Sequence, residues 1–188
     1  MFMSSTLRSA SFVLASLAVL AAATSVSAQT HFHLRGGAGA RGKAIGGGYT
    51  TINDGTLTHK GAHYVQGANG ASYAGHNSFT GNADGSASSS HSFHGTTAAG
   101  GTYSSNGAYS RSSSGAVTGS SQTSGSGPRG SYDASTNTAN GVTTHDTTAT
   151  NAATGTTYDG QTTYTKGQGF THSGSCTNAS GATVACGQ

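Results

Sequence analysis

Glycine-ended turn dipeptides recur at a near-constant interval, and no other feature constrains the fold as much. Asp54-Gly55, Asn69-Gly70, Asp84-Gly85, Gly100-Gly101, Ser114-Gly115 and Arg129-Gly130 follow one another about every 15 residues. Asn-Gly, Asp-Gly and Gly-Gly suit two-residue turns between antiparallel strands, because both central positions need positive φ. About 13 residues lie between turns, enough for a strand of about 40 Å.

A second period, of 30 residues, overlies the first. Tyr49-Thr50 precedes Asp54-Gly55-Thr56-Leu57, Phe79-Thr80 precedes Asp84-Gly85-Ser86-Ala87, and Tyr109-Ser110 precedes Ser114-Gly115-Ala116-Val117. Tyr73 likewise returns as Tyr103. A repeating unit of two strands accounts for both periods. After Gly130 the interval loosens, and Thr138 to Gly155 is Thr-rich and free of aromatics. Tyr158, Tyr164, Phe170 and Cys176 then stand six residues apart. Six is even, so on strands these side chains share a face, and Gly160 and Gly174 share their parity. This predicts a thin sheet in which aromatic rings cover neighbouring glycines.

The expected fold is all-β: a repetitive antiparallel meander of long hairpins. A β-solenoid with a 30-residue coil is the alternative, and ordering only on self-assembly is a third option. Residues 1–28 read as a signal peptide, 29–48 as a flexible, basic, Gly-rich arm, and 49–188 as the repetitive β region. The stretch Ser124 to Gly130 holds the only proline and is the expected break or linker. Asp159-Gly160 is a further candidate turn.

Composition sharpens this reading. Over residues 29–188 there are 31 Gly, 22 Ser and 27 Thr, half of that stretch. Val, Ile, Leu and Phe together number 12 there, Tyr adds 8, and Trp and Glu are absent. Such a chain excludes a helical bundle, an ordinary α/β enzyme domain and a helical membrane protein. Twenty large apolar side chains cannot by themselves offset the entropy of ordering so many residues. Repetition and backbone hydrogen bonding must therefore carry the fold. Seven Lys/Arg against five Asp in this stretch give a net charge near +2. A low-hydropathy chain without high net charge departs from the usual pattern of disorder. With few charged gatekeepers along polar strands, self-association is expected.

The N-terminus has the parts of an export signal. Arg8 supplies the positive region, Phe12 to Ala23 is an apolar run too short to span a bilayer, and Val26-Ser27-Ala28 is a small-residue cleavage site. Gln29 is then the mature N-terminus. The expected destination is periplasmic, secreted or cell-surface, by a bacterial Sec-type route. Two cysteines suit that oxidising compartment. Cys176 and Cys186 are expected to form a disulfide across a hairpin turning at Ser180-Gly181. The closed loop is worth roughly 2.5–3 kcal/mol in the chain-entropy account.

Chemistry-bearing residues are sparse. If Gln29 carries a free amine, Gln29-Thr30-His31 places an imidazole third in the chain, where it can complete a square-planar Cu(II) or Ni(II) site. His31 is therefore the one metal candidate. His59 and His63 share a strand face about 13 Å apart, and His91 and His94 face opposite ways. With no Glu, paired-carboxylate catalysis would rest on the five widely spaced Asp. No nucleophile elbow, zincin or phosphate-loop motif occurs. The chain is expected not to be an enzyme and to need no cofactor. Arg35, Arg41, Lys43 and Lys60 form a basic group able to meet an anionic envelope polymer. It lacks the interleaved aromatics of single-strand binders, so no nucleic-acid partner is expected.

The stretch Tyr158-Asp-Gly-Gln-Thr-Thr-Tyr164, with His172-Ser-Gly-Ser-Cys176 and Val184-Ala-Cys186, resembles small exported Gly/Ser/Thr-rich repeat proteins of Gram-negative bacteria. The resemblance covers most of residues 49–188. It implies no activity and transfers no functional residue, because that class has none assigned. The expected function is a non-enzymatic secreted structural or cell-surface protein that self-associates or decorates the envelope. The alternative is an extracellular binding module for a glycan, an envelope polymer or a metal.

Overall fold

A computed structural model describes residues 29–186; the export signal read at 1–28 lies outside the described residues. The described chain is all-β, with twelve strands in one open sheet whose spatial order is the sequence order. The strands are β1 (Gln29–Gly39), β2 (Gly42–Asn53), β3 (Thr56–Gly67), β4 (Ser72–Gly81), β5 (Ala87–Thr96) and β6 (Thr102–Arg111). They continue as β7 (Val117–Gly127), β8 (Gly130–Ala139), β9 (Val142–Asn151), β10 (Thr157–Thr165), β11 (Gly169–Thr177) and β12 (Thr183–Val184). All pairings are antiparallel, and strands pair only with their sequence neighbours. This is the expected meander; the solenoid alternative does not apply.

The turns are built differently from the sequence expectation. Asp54-Gly55 and Asn140-Gly141 are two-residue turns, with φ of 46° and 74° in the first and 53° and 78° in the second. Those at Gly70, Gly85, Gly100 and Gly115 are three-residue loops. In the loop at Gly85, the Asn82 N–H donates to Ser86 O at 2.9 Å and the Gly85 N–H donates to Asn82 O at 3.0 Å. Only the glycine needs positive φ in that arrangement. The acidic or amide residue before it serves as an acceptor instead. Asp84 Oδ1 takes the Ser86 N–H at 2.8 Å and the Ser86 hydroxyl at 2.6 Å, and these bonds hold its carboxyl below the usual range.

The Gly-rich segment 29–48 forms β1 and the first part of β2, in register from Gln29↔Ile52 to Gly39↔Gly42. β1 is exposed along its whole length at the sheet edge. Two further expectations are corrected. Ser124 to Gly130 is no break. It runs through β7 into a tight turn at Pro128-Arg129, with Gly127 paired to Gly130. Pro128 sits outside the ladder, where its missing N–H costs nothing. Asp159-Gly160 is no turn; both lie inside β10, with Gly160 opposite Gly174.

A single layer has no enclosed core. Among the described residues no large side chain is fully buried; the best-covered non-glycine residues are Ala87, Ser105, Ala134 and Cys176. The register places all four on the same face of the sheet.

Candidate functional site

Residues paired across antiparallel strands point to the same side, so the register sorts every side chain onto one of two faces. The first face carries the aromatics of β4 to β11. Tyr73, Gly95, Tyr103, Gly125, Tyr132, Ala149, Tyr158 and Cys176 form one continuous row across the strands. Tyrosine occupies every second strand and a small residue the strand between. At 4.7–4.9 Å per strand, the tyrosines stand about 9.6 Å apart. Six residues along the strands lies a second row that includes Phe79, Tyr109, Tyr164 and Phe170. The six-residue steps of the sequence are these two rows.

Rings lie across glycines, as the parity argument predicts. A β-carbon on Gly75 would collide with the edge of the Phe93 ring, and one on Gly160 would collide with Tyr158. Tyr158 also lies 2.8 Å from the place a Gly174 β-carbon would take. Phe93 is the centre of an aromatic group, with ring centroids 5.8 Å from Tyr73, 5.7 Å from His63 and 5.3 Å from His91. Burial, and then the neighbouring Tyr103, hold the Tyr73 hydroxyl above its ordinary pKa.

Between the two aromatic rows the same face holds small polar residues and histidines tied to hydroxyls. His145 bridges Thr136 (2.8 Å) and Thr147 (3.1 Å). His172 joins Thr162 (2.9 Å) to the Tyr158 hydroxyl (3.2 Å). His59 meets Thr50 at 2.8 Å, and His91 meets the buried Ser105 at 3.3 Å. Burial pushes the His91 imidazole below its ordinary pKa. No buried polar side-chain atom lacks a partner among the described residues.

The opposite face of β4 to β10 is a field of cross-strand hydroxyl and amide pairs. Ser72–Thr96, Ser78–Ser90, Thr102–Ser126, Ser104–Ser124, Ser110–Thr118 and Thr150–Thr157 all lie within 2.7–2.9 Å. Asp159 accepts from Thr148 and Asp146 from Gln161, each at 2.7 Å. Over β1 to β3 this face changes character. Phe32, Leu34, Ile45, Tyr49 and Tyr64 line a shallow concavity of about 800 Å³ beside Lys60.

The sequence-predicted site residues fall as follows. His31 lies exposed on β1 opposite Thr50. The strand holds Gln29, Thr30 and His31 extended in the ladder. No group of three or more His, Cys, Asp or Glu side chains suited to a metal ion occurs among the described residues. His59 and His63 share a face, and His91 and His94 do not, as expected. Cys176 and Cys186 form a disulfide with Cα atoms 5.3 Å apart. The partner of Cys176 in the ladder is Val184, so Cys186 locks the chain two residues past the last pair rather than directly opposite. That disulfide is compatible with an exported protein. No helix among the described residues is long and apolar enough to cross a membrane. Comparison with family models, with curated proteins and with solved structures finds no match to this chain.

Proposed function

We propose that this is a non-enzymatic exported protein that works as a structural or surface element by associating with itself. The observation that carries the reading is a single-layer sheet open at both sides. β1 is unpaired along one edge, and β12 covers only Cys176 and Thr177 of β11 along the other. Open edges present rows of free N–H and C=O groups that template further strands. The two edges hold no aspartate and one charged residue, Arg35. The cleavage-site pattern before Gln29 and the terminal disulfide support placement outside the cytoplasm.

The test uses the purified mature chain, residues 29–188. Sedimentation and binding of a β-sheet dye are followed as concentration rises. Association and dye binding are expected together; a strictly monomeric protein at high concentration would sink the reading. One observation favours a second reading, in which an extended glycan lies along the tyrosine row. The two-strand step matches about two pyranose rings of a β-linked chain, and faces of tyrosine stack on sugars. A glycan array separates the two.

A further inference from the structure

We infer that the aromatic face of β4 to β11 is covered by the same face of a second copy, giving a two-layer sandwich with both hydroxyl faces outward. This rests on the self-association reading above and names a face, beside the open edges, through which copies meet. Four observations support it.

The faces are unequal. Of the aromatics on β4 to β11, all nine lie on one face, and the other face of these strands carries hydroxyl, amide and carboxylate groups with two histidines, three alanines and Val142. Sheets with one apolar face bury it against another layer, and among the described residues no second layer exists. Charge permits self-pairing. Asp133, Asp146 and Asp159 all lie on the hydroxyl face, which leaves Arg111 as the only formal charge on the aromatic face of these eight strands.

Size is adequate. Eight strands of about ten residues give a face of roughly 38 by 33 Å, so two copies would bury roughly 2,500 Å² together. Obligate dimers bury 2,000–5,000 Å².

Shape is self-complementary. The tyrosine row alternates ring and gap at two-strand steps. Tyr103 and Tyr132 remain 38% and 40% exposed. Between them Gly125 is open above: a β-carbon there would meet only the Thr102 carbonyl, at 3.3 Å. A comb of this kind meshes with a copy displaced by one strand.

The experiment compares two doubly charged variants of the mature chain by analytical ultracentrifugation. Tyr103→Lys with Tyr132→Lys charges the aromatic face of β6 and β8; Ser104→Lys with Ser135→Lys charges the hydroxyl face of the same strands. The first pair is expected to weaken dimerisation about 100-fold or more, as for removal of two central anchors, and the second to leave it nearly unchanged. Tyrosine quenching by iodide in the unaltered protein gives a second readout that needs no variant to fold. Quenching should fall as dimer forms. If the unaltered protein associates but the face-charged pair associates equally well, or tyrosines stay accessible in the assembly, the face assignment is overturned while self-association stands. A monomer defeats both. A monomer whose tyrosines are shielded by a β-1,4-linked hexasaccharide overturns the proposal in favour of a sugar-stacking face.

Discussion

Replacing Cys176 and Cys186 together by serine opens an eleven-residue ring at the last hairpin. The ring confines the unfolded hairpin, and the chain-entropy relation puts that confinement at about 2.8 kcal/mol at 25 °C. In an ordinary two-layer domain this would lower the stability of the whole. Here strands pair only with their sequence neighbours, so the molecule behaves as a one-dimensional array whose end unit opens alone. β12 is held by two residue pairs, Cys176↔Val184 and Thr177↔Thr183. The variant is therefore expected to lose about 100-fold in amide protection at Asn178 and Val184, since 1.4 kcal/mol is a factor of ten. Protection in β4 to β9 should be unchanged. Hydrogen exchange read by NMR, residue by residue, makes the measurement. An equal fall in protection across the sheet would refute the reasoning, because it would show one cooperative unit rather than a chain of neighbours.

Three further outcomes are expected. Gly75→Val should displace the Phe93 ring from its aromatic group and cost about 1–3 kcal/mol, as overpacking does, whereas Gly37→Ala, with open space and no positive φ, should be near neutral; urea unfolding compares them. Gly85→Ala has equal room but a φ of 82°, so it should cost about 1–2 kcal/mol from the left-handed backbone alone. The third concerns pH. Burial depresses the His91 imidazole below its ordinary 6.5 in the folded state, so the unfolded chain binds that proton more readily. Stability from this group is full above 6.5 and is lost as pH falls through the depressed value. His91→Gln should flatten that part of a denaturation profile taken from pH 8 down to pH 5, and NMR titration of His91 should give a midpoint below 6.5.

Turn glycines and aromatic steps made the meander legible, because both reflect strand geometry that any residue set must obey. Tyr158, Tyr164, Phe170 and Cys176 fall opposite one another as Tyr158↔Cys176 and Tyr164↔Phe170. What the sequence hid was the division into two faces. A three-residue loop, such as the one at Gly85, keeps the odd or even identity of a face across the turn. A two-residue turn, such as Asn140-Gly141, exchanges it. Thus the aromatic face holds odd-numbered Tyr73 and Tyr103 but even-numbered Tyr132 and Tyr158. Reading each dipeptide as a two-residue turn loses that parity, and a slip of one position moves every side chain of a strand to the other side. In segment 29–48 glycine content signals flexibility in an isolated peptide, and the pairing of Gly36 with Ile45 and of Gly37 with Ala44 at the sheet edge is not legible from composition.

Because each strand relies only on the two beside it, the width of this sheet is a free variable. A 30-residue hairpin could be gained or lost between turns at the same border, such as those at Gly70 and Gly100, without any distant contact to rebuild. Each such event would widen or narrow the sheet by about 10 Å. The architecture is a ruler whose length can drift by whole graduations, and copies differing by one graduation would keep the same surface chemistry.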